Sequence, residues 1–530
     1  MSVVITGNDL TIDDLARVAY EHEPVSLCPQ AHARMQRSRA LVERLAALDS
    51  PVYGVTTGLG ALKNLRIPRD QIGQFQQNIL MSHAAGIGVP FDRPTVRAVM
   101  LARLNGMARG GAGVSLAVCE TLLTMLNLGL HPVIPSRGSI GMSDLAPLAH
   151  MALPLIGLGE VEYQGRVMPG AEAIELAGLL PVALGAKDAL ALCSANSVSV
   201  GRGALVLADA VRLLVAADVS AALSLEGFQG NVGPLDPRAH AVRPFAGQRA
   251  AADHMRDLLR GSSLWIPDPL RSMQDPLSFR CVTQVHGAAR DALGFVRRTI
   301  EVELNASGDN PVVLPDDDII MSNGNFHVAG VAMGFDLLAI ALAHVTSIIA
   351  NRVIRLMDPA LSGLPPQLTA RPGINCGLST FQKTITALDA EVRLAAAPGS
   401  VHFTPVAGDI EDHATMATLC VDKAARVVDL AWNMLSIELL TAAQAIDLRA
   451  GPQLGDGTRA AYEIVRSVAP YSADDHVLAP DVQIVADLLR ADTISQVVHH
   501  KIGAEMLPIP APARRIEQPS LINLWLGAGI

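Results

Sequence analysis

The feature that most constrains the fold is an uninterrupted, mainly apolar run at residues 328–357. It exceeds the roughly 20 residues that cross a membrane as a helix, yet polar and charged side chains interrupt it. They are Asp336, His344, Ser347, Asn351 and Arg355. Their steps of 8, 3, 4 and 4 residues put them on one helical stripe. The pattern predicts a long buried helix of a bundle rather than a membrane span.

Two further stretches predict helices of similar length. Residues 204–225 are apolar with sparse charges, and polar side chains recur at helical spacing within residues 414–450. Half of the 530 residues are hydrophobic but only 3% are aromatic, which suits closely packed helices rich in Ala and Leu. We therefore predict a mainly α protein with a long central helix bundle.

Glycine-rich turns divide the chain into two unlike parts. Residues 1–200 mix short helices with turns such as YGVTTGLG and RGSIGMSD, and loops of this kind carry sites more often than cores. We predict a smaller, loop-rich N-terminal lobe with the active site at residues 1–200. A helical bundle domain with C-terminal helices is predicted at residues 201–530. Helices that are apolar on so many sides also predict a homo-oligomer with a shared core.

Charge and cysteine spacing narrow the range of partners. The net charge of −10 argues against a nucleic-acid or membrane-surface partner. The six cysteines form no CxxC pair, so we expect no metal site and a reducing compartment. The N-terminus has neither the basic start nor the apolar core of a signal peptide, and we expect a cytoplasmic protein.

Three motifs hold residues that suit catalysis or substrate binding, and each has a structural alternative. Tyr53 in PVYGVTTGLG acts as a base or packs in its loop. His83, at a predicted helix end in QQNILMSHAAGIG, carries a proton or is a structural histidine. In SMQDPLSFR, Gln274 accompanies Arg280, which holds a carboxylate by paired hydrogen bonds or forms a surface ion pair.

Three further segments add candidates of the same kind. Asn310 in ELNASGDNPVV and Phe326 in SNGNFHVAG lie in turn-rich motifs, where Asx turns alone explain the asparagines. Asp409 and Glu411 belong to the acidic cluster of VAGDIEDHATMATL, at an expected helix start. Acidic residues suit the positive end of a helix, so this cluster has a structural explanation as well.

Together and in this order, these motifs resemble the aromatic amino acid lyase family, and within it the histidine ammonia-lyases. The resemblance runs from TGNDLTIDDLARVA to ELLTAAQAIDLRA and rests on YGVTTGLG, SHAAGIG, QDPLSFRC, DNPVV, GNFH and EDHATM. It implies an ammonia-lyase-like fold and a homotetramer in which three subunits build each active site. The implied activity removes an amine and a β-proton from an amino acid.

The resemblance also implies residue roles. Tyr53 matches the base that takes the β-proton, and Arg280 matches the ligand of the substrate carboxylate. His83, Phe326 and Glu411 match pocket residues, and the glutamate faces the imidazole in histidine-type members.

One loop departs from the family pattern. Family members form an electrophilic methylidene-imidazolone (MIO) from an Ala-Ser-Gly-type triplet, when the third amide nitrogen attacks the first carbonyl. Glycine in the third position permits this close backbone approach. Here the loop reads GSIGMSDL at residues 138–145, one residue short, and Asp144 follows Ser143 directly. We therefore expect no self-formed electrophile at Ser143 and no other cofactor.

Three other departures lie on the same side of the implied site. Ser194 and Ala195 stand where the family has Asn-Gly, with Asn196 displaced. Leu277 replaces a tyrosine, and Ile410 replaces a glutamine. The base and the carboxylate ligand remain, so the losses concern the electrophile.

These losses favour a substrate whose nitrogen is already activated. A trimethylammonium group leaves as neutral trimethylamine, and the chain thus resembles the ergothionase-type branch of the family. The hypothesis is elimination of trimethylamine from a histidine betaine: ergothioneine gives thiourocanate, and hercynine gives urocanate. The alternatives are a histidine ammonia-lyase that still cyclises this triplet, and a non-catalytic paralogue.

Other side chains must then act on the ring and the amine. Lys383 in LSTFQKTITALDAE and Lys63 beyond the Tyr53 loop are candidates to face a ring thiolate or donate a proton. A solvated lysine is the alternative for each. Asp409 is a candidate to stabilise the cationic amine.

Overall fold

The computed structural model describes residues 2–48, 51–269, 271–408, 410–449 and 451–503. The first part of the chain folds into helices of modest length. They are α1 (Ile12–Tyr20), α2 (Pro29–Ala46), α3 (Ile72–His83), α4 (Arg93–Ala108), α5 (Leu116–Leu128), α6 (Leu145–Ala152), α7 (Gly170–Leu176) and α8 (Asp188–Cys193).

Longer helices follow and alternate with short ones. They are α9 (Ser197–Phe228), α10 (Pro237–Ala241), α11 (Ala246–Leu258), α12 (Leu277–Arg280), α13 (Val282–Leu304), α14 (Ala329–Leu356), α15 (Pro359–Ser362), α16 (Phe381–Ala395), α17 (Ala417–Asp447), α18 (Asp456–Val468), α19 (Ala479–Arg490) and α20 (Thr493–Ile502).

Short strands pair into small sheets around the helices. Strands β1 (Val3–Ile5) and β2 (Val25–Leu27) are parallel. The antiparallel sheets join β3 (Ile87–Pro90) to β5 (Pro135–Arg137), β4 (His131–Pro132) to β6 (Glu160–Tyr163) and β7 (Arg166–Pro169), and β8 (Val312–Leu314) to β9 (Ile319–Met321). These sheets order loops rather than build the core.

The centre of the molecule is a bundle of α9, α13, α14 and α17. Helix α9 is buried along almost its whole length because the other three helices, together with α4, surround it. This explains why its sequence is apolar on every face. One hydrophobic cluster extends from Val3 to Ile502 and so crosses residue 200, where the two parts of the chain were separated on composition.

Helices α9, α14 and α17 run in the same direction. Their first turns meet around residues 138–144, as described below, and their last turns meet at Arg449. The Arg449 guanidinium donates to the carbonyl of Gly227 in α9 (3.0 Å) and to that of Ser362, just beyond α14 (2.7 Å). The bundle therefore has a loop end, at residues 138–144, and an α12 end, where Phe279 of α12 stacks on Phe228 at 4.2 Å.

Among the described residues, Ala329–Leu356 is the one helix that passes a length-and-composition test for crossing a membrane. In this fold it packs against α13, α16 and α17, with 56% of its most apolar window buried. Two of its charged side chains have partners inside the protein: Asp336 accepts from the Gly399 and Ser400 amides, and Arg352 pairs with Glu438. The prediction of a bundle helix is confirmed.

Candidate active site

Residues 138–144 form a loop, called the buried loop because residues 141–144 are buried, that is attached to the segment before α17. The Thr415 hydroxyl donates to the Gly141 carbonyl (2.7 Å), and the Met416 amide donates to the Ile140 carbonyl (2.8 Å). Gly141 has φ +77°, and a Cβ there would lie 2.2 Å from the Thr415 hydroxyl oxygen. Only glycine fits at this position without moving the loop away from α17.

Ser143 lies at the centre of this loop in a left-handed conformation, with φ +57°. Its side chain is buried, and its hydroxyl is 3.3 Å from the Ser194 hydroxyl. Its amide donates to the Phe326 carbonyl (3.3 Å), which also accepts from the Asn196 side chain (2.8 Å). The displaced asparagine thus contacts the same backbone that holds Ser143.

Asp144 connects the loop to the first turn of α9. Its fully buried carboxyl accepts from the Ser199 amide and the Ser139 hydroxyl, both at 2.8 Å. Its own amide donates to the Ala195 carbonyl at 2.6 Å. Burial raises the pKa of this carboxyl, against the hydrogen bonds that lower it.

In this geometry the amide that would close the family's self-formed electrophile has another partner. Ring closure needs the amide nitrogen of the third residue, Asp144, to approach the Met142 carbonyl carbon. That nitrogen instead donates to Ala195, outside the triplet. The Asp144 carboxyl in turn accepts from the Ser199 amide, so both polar groups of this residue are engaged outside the triplet.

Tyr53 lies in a loop that folds back on itself and packs against α8. The Gly58 amide donates to the Leu65 carbonyl (2.9 Å), and the Gly60 amide donates to the Tyr53 hydroxyl (3.4 Å). A Cβ at Gly54 would lie 2.6 Å from Leu190 of α8, whose end carries Ser194. Lys63 is exposed at the far part of the loop.

Asn310 is close to Tyr53 because Pro311 packs on Gly54. Its side-chain oxygen accepts from the Asn323 amide (3.0 Å) and the Ser322 hydroxyl (3.2 Å). Within the described chain, the side-chain oxygen of Asn310 is therefore used to hold the turn, as the Asx-turn alternative predicts. The turn is held by a buried ion pair, in which Arg103 donates to Asp309 (2.6 Å) and to the Ala191 carbonyl of α8 (2.7 Å).

His83 ends α3, as predicted. Its Nδ1 donates to the Ile79 carbonyl (2.8 Å), which leaves Nε2 as the ring nitrogen that can accept a proton. Gly86, just beyond, lies against Gly138 at the start of the buried loop. His83 therefore lies at the loop end of the bundle.

Glu411 also lies at the loop end, but not at a helix start. Helix α17 begins at Ala417 and has no acidic residue in its first turn, so the expectation of a helix start is wrong for this cluster. Glu411 instead pairs its backbone with Val406 in a turn. Asp409 lies outside the described residues.

A histidine pair at the loop end was not among the predicted site residues. His327 Nε2 and His413 Nδ1 are 2.8 Å apart, and His327 forms a backbone bridge to Met142. His327 belongs to the motif GNFH, and His413 belongs to the motif EDHATM. Only the fold shows that the two motifs meet.

Gln274, Arg280 and Lys383 lie at the opposite, α12 end. Lys383 is exposed and donates to the Ser379 carbonyl (3.1 Å). The chain before it lies beside the last turns of α17, where Gln444 donates to the Leu368 carbonyl (3.2 Å). Between Ser199 and Phe228, α9 spans about 45 Å at 1.5 Å per residue. A single chain therefore keeps these three residues far from Tyr53, His83, Ser143, Asn310, Phe326 and Glu411.

Comparisons with known proteins agree with this architecture. The family model for aromatic amino acid lyases matches residues 10–467. A histidine ammonia-lyase of Alkaliphilus metalliredigens is 40% identical over 505 residues, which cover 95% of this chain and 98% of that protein.

Two solved structures share the fold. An ergothionase from Treponema denticola, in complex with desmethyl-ergothioneine sulfonic acid, matches with a TM-score of 0.90 and 36% identity over 93% of this chain and 99% of that one. A histidine ammonia-lyase from Trypanosoma cruzi matches with a TM-score of 0.89 and 30% identity over 98% and 100%. The prediction of a mainly α, ammonia-lyase-like fold is confirmed, and the chain belongs to the aromatic amino acid lyase family of carbon–nitrogen lyases.

Proposed function

We propose that this enzyme eliminates trimethylamine from a histidine betaine without a self-formed electrophile. A base removes a proton from the β-carbon, the Cα–N bond breaks, and a Cα–Cβ double bond forms. Nitrogen keeps the bonding electron pair and leaves as neutral trimethylamine. Ergothioneine gives thiourocanate, and hercynine gives urocanate.

The observation that carries this proposal is the place of Asp144. The Asp144 amide, which would close the electrophile's ring, donates to the Ala195 carbonyl, and the Asp144 carboxyl accepts from the Ser199 amide. Without the electrophile, a primary amine is a poor leaving group, whereas a quaternary ammonium needs no covalent activation. The ergothionase whose structure is similar to this chain was solved with desmethyl-ergothioneine sulfonic acid, which also supports a betaine substrate.

We assign roles by matching residues to chemistry. Tyr53 takes the β-proton, Arg280 holds the carboxylate by paired hydrogen bonds, and Glu411 accepts from the imidazole N–H. Lys383 or Lys63 faces the ring sulfur or donates a proton to the ring, which makes the β-proton more acidic.

Around these groups, His83 and Phe326 line the pocket, with Gln274 beside Arg280. Asp409 is assigned to the cationic amine.

This assignment requires more than one chain. Arg280 and Lys383 lie at the α12 end, and Tyr53 and Glu411 lie at the loop end, so a complete site needs the α12 end of one subunit beside the loop end of another. Helix α14 exposes an apolar stripe of Met333, Leu337 and Ile340 at steps of four and three residues. We propose that this stripe is covered by another copy in a homotetramer.

A histidine ammonia-lyase is the second candidate. It is favoured by the relatives that are about 40% identical over nearly the whole chain and carry that name. This function requires the Met142-Ser143-Asp144 triplet to cyclise.

Intact-mass spectrometry of the purified enzyme, combined with product analysis, separates the two candidates. We expect the mass of the unmodified chain, release of trimethylamine from ergothioneine or hercynine, and no ammonia from histidine. A mass lower by two water molecules, with rapid release of ammonia from histidine, would contradict the proposal. In a matched Asp144→Gly variant, a glycine follows Ser143. Its intact mass tests whether the residue at this position decides if the triplet cyclises.

A further inference from the structure

A buried ion pair connects the three parallel helices near the α12 end. Glu438 of α17 and Arg352 of α14 are both fully buried, and the guanidinium donates to both carboxylate oxygens through Nε and Nη2. Ser220 and Ser224 of α9 donate to the same carboxylate, at 2.7 and 2.8 Å. The carboxylate is thus fully satisfied, and the geometry of Arg352 is fixed.

The remaining arm of Arg352 reaches out of the bundle. Its Nη1 donates to the Ser278 carbonyl (3.1 Å), within the single turn of α12 that ends in Arg280. Phe279, between the two, is buried against Phe228. One face of this turn is therefore attached to the bundle, while Leu277 on the other face is 60% exposed.

We propose that Arg352 is the positioning residue for Arg280, and so for the substrate carboxylate. The inference rests on the proposed role of Arg280. A turn of four residues has little stability of its own, so its orientation is set by these two attachments together with α13, which begins at Val282. Arg352 touches no reacting atom and acts through the Ser278 carbonyl, two residues before the guanidinium that binds the carboxylate.

Stability alone gives a weak reason for this ion pair. Removing one partner leaves an unpaired buried charge and is strongly destabilising, whereas replacing both by apolar residues of similar volume is often neutral or stabilising. The double variant Arg352→Met/Glu438→Leu therefore keeps the packing and removes the bond to Ser278. Arg352→Lys is a second variant, since a single ammonium keeps the charge pair but cannot hold Glu438 and the Ser278 carbonyl in the same geometry.

Inhibition by two small molecules tests the proposal. Urocanate has the imidazole ring and a carboxylate, whereas 4-methylimidazole has the ring alone. In the double variant and in Arg352→Lys, we expect the Ki of urocanate to rise about tenfold to a hundredfold, in line with the cost of a misplaced binding group. The Ki of 4-methylimidazole should stay unchanged, which a general loss of structure would not produce.

Two reference variants complete the experiment. Arg280→Ala should raise the Ki of urocanate alone. Ser224→Ala weakens the same buried network without touching Ser278, and it should change neither Ki. If Arg280→Ala shifts the urocanate value and both Arg352 variants leave it unchanged, the positioning role is wrong. If Arg280→Ala leaves it unchanged, the assignment of Arg280 fails as well.

Discussion

The Tyr53 hydroxyl has a single long contact, from the Gly60 amide, among the hydrogen bonds of the described chain. Its removal should therefore affect chemistry more than stability. In Tyr53→Phe we expect turnover to fall by about 10²–10⁴-fold, the usual contribution of a positioned base, with an unchanged melting midpoint. Initial rates and thermal unfolding measure the two effects, and Tyr163→Phe in β6 is the control. Preserved turnover in Tyr53→Phe would remove the proposed base.

Lys187 provides a second prediction for a single residue, because burial lowers its pKa to about 8. The unfolded chain keeps this proton until about pH 10.4, so it binds more protons than the folded chain between these values. The free energy of unfolding should therefore rise as the pH is raised from about 8 to about 10.4. Lys187→Met should reduce this rise, measured by urea unfolding at pH 8 and pH 10. The exposed Lys501→Met is the control, and an equal loss of slope in both variants would contradict the pKa assignment.

At the scale of elements, the attachment of the buried loop to α17 depends on Gly141. Gly141→Ala combines a positive φ, which costs about 1–2 kcal/mol, with a clash against Thr415 that costs about 1–3 kcal/mol more. Gly165 has nearly the same φ, +78°, and open space around it. Gly165→Ala should therefore show the first cost alone and retain turnover, whereas Gly141→Ala should lose stability and turnover together. If urea unfolding and rate assays show the same losses for Gly141→Ala as for Gly165→Ala, the loop is not closely packed against Thr415.

The long helices could be predicted closely from sequence, but the first turns of α9 and α17 could not. The apolar pattern placed helices at residues 328–357 and 414–450, and the structure has Ala329–Leu356 and Ala417–Asp447. The later start of α17 follows from Thr415 and Met416, whose hydroxyl and amide bind the loop instead of the helix. Helix α9 starts at Ser197, before the predicted residue 204, because Asp144 caps it from 55 residues earlier in the chain.

At the scale of the whole molecule, sequence motifs identified the family of carbon–nitrogen lyases but not how the candidate residues are distributed over the bundle. Tyr53 and Arg280 were both assigned to one site from their motifs. In one chain, however, they belong to opposite ends of the bundle, which are separated by the length of α9. The contact of His327 with His413 was equally hidden, because 86 residues separate them in the chain. Both facts depend on the direction of three helices, which no local pattern encodes.

This separation leads to a prediction about mixed oligomers. Tyr53→Phe and Arg280→Ala should each be inactive alone, because each removes one half of a site. If different subunits supply the two halves, an oligomer of both variants contains sites with an intact Tyr53 and an intact Arg280. With random assortment at equal amounts, about a quarter of the sites should be intact.

Co-expression with two affinity tags, followed by tandem purification, isolates these mixed oligomers, and the trimethylamine assay measures the recovered activity. Oligomers of one variant with two tags, purified in the same way, give the background. A site built within one chain would give no recovery, since every chain in the mixture carries one of the two substitutions. Recovery near a quarter of the unsubstituted rate therefore requires that the loop end of one subunit meets the α12 end of another.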